Sequence, residues 1–506
     1  MTAGSDAMAS GRDFAYWRDR AAALRPETRA FIDGGYVEAA DGATFTRISP
    51  IDGRAIPGIA RCGAEDVDRA VGAARAAFGD GRWSRLEPTK RKAVLLRFAG
   101  LIEDDVEELA LRETLDVGKP IGDSLAVDVR SAARCVAYYA EYADKLYEEI
   151  APTGPNDLAI IRRMPLGVVG AIVPWNYPLI LASWKIAPAL VLGNSVVLKP
   201  AEQSSLSAIR LAELAHKAGI PDGVFNVLPG YGHEAGVALV RHMDVDMIAF
   251  TGSTSVGRLI MKGAAESNMK RVALELGGKS PHIVMDDCPD LDAAASSVAW
   301  GVFYNSGQTC HAGTRLIVHR AVVDDLHHRV IEATKAIRLG HPLDPATQIG
   351  AVIEEDHMHK ILGYIDLGRE EGGRILLGGS RADVVDGGFY VEPTVISGVA
   401  NASRVAQEEI FGPVLVSISV DGEEEAVCTA NDTIYGLGAA VWTRDINRAH
   451  RMSEALRAGT VWVNAYDLSS MAAPFGGFKQ SGFGRDRSAH ALDKYADLKT
   501  VWTHYS

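Results

Sequence analysis

The feature that most constrains the fold is a strand–helix alternation from Gly167 to Met285. Gly167–Val173 (GVVGAIV) reads as a buried strand, and 179–192 is helical in pattern. Ser195–Leu198 is a short strand closed by Lys199-Pro200, and 204–218 has helical periodicity stopped by Gly219 and Pro221. Strands follow at 223–228 and 246–250, then a turn at Thr251-Gly252-Ser253 opening a helix to Glu266, then strands at 270–276 and 281–285. Such alternation implies a doubly wound parallel sheet. The pattern restarts after Leu291, with a helix to Tyr304, a strand at 314–319 and a helix at 324–337. A second α/β domain follows, which suits a chain of 506 residues.

The apolar stretch from Met164 to Leu198 is interrupted by Pro174, Asn176, Lys185 and Gly193, which suits strand, turn and helix better than a membrane span. The N-terminal residues lack the apolar core of a signal peptide. A net charge of -13 argues against nucleic-acid or anionic-membrane partners. The five cysteines (Cys62, Cys135, Cys288, Cys310, Cys428) form no CxxC pair, so neither a disulfide framework nor a metal site is expected. A reducing cytoplasm fits that usage. The C-terminal stretch 494–505 reads as extended and needs a strand to pair with, a partner subunit being one candidate.

Four places carry potential chemistry. Phe250 to Gly257 (FTGSTSVG) follows a strand and opens a helix, so its free N–H groups suit a pyrophosphate; a plain strand–helix turn fits the same residues. Lys199 and Glu202 sit at a strand end, where an acid can accept the 2′-hydroxyl of an adenosine ribose; a solvated ion pair fits equally. Cys310 is either a nucleophile or an inert buried thiol. Glu275, after Val272-Ala273-Leu274, is expected to be partly buried, as a general base or a paired acid.

Together these residues resemble the aldehyde dehydrogenase superfamily. Pro174-Trp175-Asn176-Tyr177-Pro178, Lys199-Pro200-Ala201-Glu202, Phe250 to Gly257, Glu275-Leu276-Gly277-Gly278-Lys279, Gly307-Gln308-Thr309-Cys310, Glu409-Ile410-Phe411-Gly412-Pro413 and Pro474-Phe475-Gly476-Gly477-Phe478-Lys479 are similar to its motifs, in its order, across nearly the whole chain. The resemblance implies an α/β fold with a Rossmann-type NAD-binding domain (15–145 and 165–277), an α/β catalytic domain (278–478) and an oligomerisation β-flap with C-terminal tail (146–164 and 479–506). A homodimer or homotetramer is implied.

The resemblance further implies that Cys310 attacks the aldehyde carbon, that the Asn176 amide and the Cys310 N–H hold the oxyanion, and that Glu275 activates the hydrolytic water. It assigns Lys199 and Glu202 to the adenosine ribose, Ser253 to the pyrophosphate, and Glu409 and Phe411 to the nicotinamide end of NAD. Ile172, Pro174, Trp175, Gly232, Phe250, Thr251, Gly252, Gly257 and Leu276 are placed along the same cofactor. Tyr177, Leu181, Trp184, Tyr304, Asp467 and Phe475 are placed along the substrate tunnel. Departures include His311 after the nucleophile, and His357, near a position that touches the cofactor ribose in many members.

Segments such as 91–95, 111–116 and 484–492 are most similar to bacterial members acting on γ-glutamyl-γ-aminobutyraldehyde or indole-3-acetaldehyde. Asp467 favours an amine-bearing aldehyde, whereas Ser469 and Ser470 make that loop less acidic than a dedicated amine site. A catalytically silent structural relative is the alternative from another class, and retention of Cys310, Glu275 and Asn176 together argues against it. Transfer of the acyl group to coenzyme A is disfavoured by the base at Glu275.

Overall fold

Val168–Ile172 is buried at every position and lies within an eight-stranded sheet. Five strands of that sheet are parallel: Arg271–Glu275, Met247–Thr251, Val168–Ile172, Ser195–Lys199 and Phe225–Val227, in that spatial order. Continuous apolar runs suit strands covered by helices on both faces. The chain moves outward from Val168–Ile172 through Ser195–Lys199 to Phe225–Val227, then returns to its other side at Met247–Thr251. That reversal opens a crevice at the carboxyl ends of Val168–Ile172 and Met247–Thr251, the place where open α/β sheets take ligands. The coordinates are a computed structural model that describes residues 12–506, so the reading of the first residues as no signal peptide falls largely outside it.

Antiparallel pieces finish both edges. Gly482–Phe483 pairs with Arg271–Glu275, while Ala30–Ile32 and Gly35–Val37 extend the sheet beyond Phe225–Val227. The segment 479–506 is therefore divided between this sheet and the flap described below. The helix Pro178–Val191 follows the central strand and buries nearly every side chain, including Lys185. Gly193, at φ 97°, turns the chain back into Ser195–Lys199.

After Glu275 the chain crosses to a seven-stranded sheet. Its order is Arg374–Leu377, Thr394–Ser397, Val414–Val420, Arg315–His319, Pro281–Val284, Gly438–Trp442 and Thr460–Val463, and only the first is antiparallel to its neighbour. A third sheet joins Glu149–Ala151, Asp157–Pro165 and Ala496–His504. The C-terminal strand, expected to need a pairing partner, finds one within its own chain and remains an edge strand of that sheet. Ala496–His504 pairs along its whole length with Asp157–Pro165 of the same chain. Among the described residues no helix is long and apolar enough to cross a membrane.

A buried ionic cluster ties the C-terminal segment to the first sheet. Asp486 is fully buried and accepts from both Lys185 and Lys494. Tyr139 donates to the Ser488 carbonyl at 3.1 Å, and Asn194 to that of Tyr495 at 3.0 Å. Asp486→Ala strands two buried cations, so it should destabilise by about 3–5 kcal/mol. Denaturant unfolding checks this, and a loss under about 1 kcal/mol would mean that the cluster is not tightly packed.

Candidate active site

The register of the parallel strands brings the sequence-predicted residues together at one edge. Ile172 pairs with Lys199 on one side and Phe250 on the other, and Thr251 pairs with Glu275. Lys199 is buried and donates to Glu202 at 2.9 Å, leaving the Glu202 side chain 32% exposed. The pair is thus half sheltered rather than the freely solvated one its spacing allowed. Ser253 caps the helix Thr254–Ala265 by accepting from the Val256 N–H. Gly257 lies in its first turn against Leu276, where a Cβ would come within 2.8 Å of the leucine. Gly232 opens the helical turn Gly232–Gly236. A half-open carboxylate and a helix N-terminus at adjoining strand ends fit a dinucleotide's ribose and pyrophosphate.

Pro174, Trp175 and Asn176 form the turn after the central strand, at the crevice. The Trp175 ring meets Phe411 at 5.3 Å and His357 at 5.6 Å, edge-on in both cases. His357 donates to the Phe411 carbonyl at 2.7 Å, and burial pushes its imidazole down to about 4, so it is neutral. Phe411 holds a positive φ of 62°. Glu409 accepts from the Gly278 N–H at 3.0 Å, and burial pushes its carboxyl up to about 7 against that hydrogen bond and two lysines.

Cys310 is presented by an unusual turn. Asn305, Ser306 and Gly307 take positive φ in succession (51°, 57° and 72°) after the helix Leu291–Phe303. A Cβ on Gly307 would lie 2.1 Å from the Gly412 carbonyl oxygen, so only glycine fits. Gly277 and Gly278 are equally constrained: a Cβ would meet Glu409 Oε2 at 2.1 Å and the Cys310 carbonyl oxygen at 2.4 Å. Asn176 donates one amide hydrogen to the Gln308 carbonyl at 2.9 Å, which fixes its side chain and leaves its second donor. Asn305 donates to the Asn176 carbonyl at 3.1 Å.

Glu275 is more buried than the partial burial expected of it, at 4% exposure, and neither carboxylate oxygen has a protein donor. Burial, reinforced by Asp486, holds its carboxyl well above the usual range; Lys185, Lys494 and Arg485 oppose the shift. Gly476 lets it approach, since a Cβ there would lie 2.8 Å from Glu275 Oε1.

A cleft of about 840 Å³ leads to Cys310. The six residues placed in the tunnel, Tyr177, Leu181, Trp184, Tyr304, Asp467 and Phe475, all line it. Tyr177 and Thr309 share a hydrogen bond of 2.8 Å, and Trp184 packs on Phe475 at 5.4 Å. Sequence reasoning missed Asp123, Trp300, Trp462 and Arg487, which line the same cleft. Their segments lie far apart in the chain, and only Arg487 stands in a stretch that the resemblance had singled out.

Asp467 has a different neighbour from the one expected. It lies 2.8 Å from His311 Nε2, whose Nδ1 is 3.8 Å from the Cys310 sulfur. Burial alone would discharge His311, but Asp467 and then the sulfur outweigh it and push the imidazole up to about 10. The carboxylate expected to receive a cationic substrate tail therefore already holds an imidazolium. Asp467→Asn should drop the His311 midpoint from about 10 by several units, read by NMR of ring-labelled histidine. The raised midpoint implies stability that is complete below about pH 6.5 and lost as pH rises through about 10. The variant should therefore lose most of that alkaline dependence.

Residues 36–501 match the model of the aldehyde dehydrogenase family. The chain is 52% identical to the NADP/NAD-dependent aldehyde dehydrogenase PuuC of Escherichia coli (strain K12), covering 96% of this chain and 98% of that protein. The fold matches a structure of the P. syringae indole-3-acetaldehyde dehydrogenase AldA, a mutant in complex with NAD+ and IAA, at TM-score 0.96 and 56% identity, covering 97% of this chain and 99% of that one. It also matches γ-glutamyl-γ-aminobutyraldehyde dehydrogenase from Burkholderia cenocepacia J2315 at TM-score 0.96 and 54% identity, covering 98% and 100%. With a cysteine, an amide and a buried carboxyl converging beside a nucleotide-fitting crevice, this chain belongs to the aldehyde dehydrogenase family.

Proposed function

We propose that the chain oxidises an aldehyde to a carboxylic acid with NAD, through a thioester on Cys310. The observation that carries the reading is the Cys310 turn, set beside Asn176 and opening onto the cleft. The Cys310 sulfur adds to the aldehyde carbon, with the His311 imidazolium presenting positive charge to it. The free Asn176 N–H and the Cys310 backbone N–H receive the oxyanion. NAD, when bound, supplies the two-electron oxidation that turns the adduct into a thioester. Glu275, once ionised, takes a proton from the water that attacks the thioester, and the acid leaves as the sulfur is restored.

Residues 15–145 and 165–277 would hold the cofactor, and 278–478 would carry the nucleophile. Lys199 and Glu202 would meet the adenosine ribose, Ser253 the pyrophosphate, and Glu409 with Phe411 the nicotinamide end. The exposed Leu498 and Trp502 on Ala496–His504, and Ile150 on its companion strand, suit assembly of the flap into a homodimer or homotetramer. Five free cysteines, the nucleophile among them, suit the reducing cytoplasm.

For substrate we favour an aldehyde from amine breakdown, of the γ-glutamylamino or ω-amino kind. The B. cenocepacia relative, a γ-glutamyl-γ-aminobutyraldehyde dehydrogenase, supports it. Because Asp467 is engaged by His311, Asp123 is the better acid for an ammonium: it lines the cleft and one of its oxygens is buried without a donor. The aromatic walls and the AldA likeness make indole-3-acetaldehyde the second reading.

Cys310→Ala should lower NADH formation on the order of 10⁴-fold or more while NAD binding, read by calorimetry, persists. Normal turnover in that variant would refute the thioester route. Glu275→Gln should slow turnover about 10²–10⁴-fold and let acyl-enzyme build up on Cys310, visible by mass spectrometry. Because burial raises the Glu275 carboxyl, wild-type deacylation should quicken as pH rises through its ionisation. Glu202→Ala should narrow a preference for NAD over NADP, since a carboxylate repels a 2′-phosphate at short range. Equal kcat/KM for both cofactors in the wild type would remove that role.

A further inference from the structure

We propose that Arg487 anchors a carboxylate at the far end of the aldehyde substrate. The inference rests on the dehydrogenase reading and, among the substrates favoured above, selects those that also carry a carboxylate. Arg487 is 8% exposed and lines the cleft that leads to Cys310. Its guanidinium carbon stands 5.1 Å from the Trp184 ring and 5.0 Å from the Phe475 ring. Ring faces attract a cation without offering acceptors to its N–H groups. Nε is sealed from water with no acceptor, and among the described residues the guanidinium makes no hydrogen bond or ion pair.

Several buried cations elsewhere in the chain are matched; Lys279, whose Nζ is buried without a partner, is pushed down to about 7 by burial instead. Lys185 and Lys494 share Asp486, Lys119 donates to Asp128 at 2.8 Å, and Arg315 donates to the Ala430 carbonyl at 2.7 Å. A buried guanidinium without such partners is costly, so its persistence at a cleft wall calls for a ligand that completes it.

The neighbouring acids are already committed. Asp467 faces His311, and Asp486 lies between two lysines. Burial pushes the Glu275 carboxyl well above the usual range. Asp123, farther along the wall, is pushed up to about 7 by burial and by Asp128. Glu141 at the rim pairs with Lys92 and Lys145, while Arg134 adds positive charge. Asp467 and Asp486 act on Arg487 only from a distance, so its donors lack a direct partner, and a planar carboxylate suits a guanidinium's paired donors.

Reach narrows the class further. His311, beside the nucleophile, packs edge-on against Phe475 at 5.6 Å, and Arg487 lies across the Phe475 ring. The carboxylate would thus sit several bonds from the aldehyde carbon, which selects ω-oxo acids and long amino-acid-tailed aldehydes over short 2-oxo acids.

The test compares ω-oxo carboxylates from 5-oxopentanoate to 8-oxooctanoate with n-alkanals of equal length, in wild type, Arg487→Gln and Arg487→Lys. At the best length the wild type should favour the carboxylate about 100-fold in kcat/KM, mostly through KM. Arg487→Gln should collapse that ratio, and Arg487→Lys should restore part of it. Suberate binding, read by calorimetry, should be present in wild type and absent in Arg487→Gln, which needs no turnover. A wild-type ratio near one at every length overturns the inference, as does a ratio kept in Arg487→Gln. A parallel fall for both aldehyde classes in that variant also overturns it, and makes Arg487 a structural cation. If wild type oxidises no aldehyde at all, the dehydrogenase reading fails, whereas oxidation without carboxylate preference sinks only the anchor.

Discussion

The site depends on a close backbone approach at Gly277 and Gly278, where the chain leaves the first sheet for the second. A single Cβ at Gly277 would occupy the space of the Glu409 carboxylate, and one at Gly278 would strike the Cys310 carbonyl. With hydrogen there instead, three separate segments meet: the end of the strand Arg271–Glu275, the cysteine turn and the Glu409–Phe411 loop. The segments around the two sheets also meet elsewhere, as where the Ala351 N–H donates to the Gly118 carbonyl and the Phe389 N–H to that of Pro50. At the glycines, a cofactor crevice at strand ends and a nucleophile after a helix become one site.

Charge is handled by pairing in most of the interior and by neutralisation at the reactive end. Asp486 with its two lysines, and Lys119 with Asp128, are compensated pairs that hold segments in place. Glu275 has no such partner, and burial raises its carboxyl well above the usual range, which favours the uncharged form. His311 is the reverse case. It keeps its proton because Asp467 lies 2.8 Å away, and so presents a cation to the nucleophile.

Much of the fold was legible because its strands are continuous apolar runs bounded by Gly and Pro. Val168–Ile172, Ser195–Lys199, Met247–Thr251 and Pro281–Val284 all fall within a residue or two of their expected limits. The edge strands Gly35–Val37 and Gly482–Phe483 did not announce themselves, being two or three residues long and held by a neighbour's register. The C-terminal strand was legible as extended, but its partner, Asp157–Pro165, lies more than 300 residues earlier in the chain.

The site divides along the same line. Local sequence determined the chemical groups: a cysteine after a Gly-rich turn, an acid at the end of an apolar strand, and glycines where backbones must touch. These can be read because the chemistry and the backbone demand come from neighbouring residues. Only the tertiary structure decided what surrounds them. Asp467 looked available to a substrate amine until folding set it against His311, 156 positions away in sequence. Arg487, in a stretch cited only for its resemblance, became a cleft residue once folding buried it against Trp184 and Phe475. Burial and charge pairing are set by packing between distant segments, and no local pattern encodes which acid will find which cation.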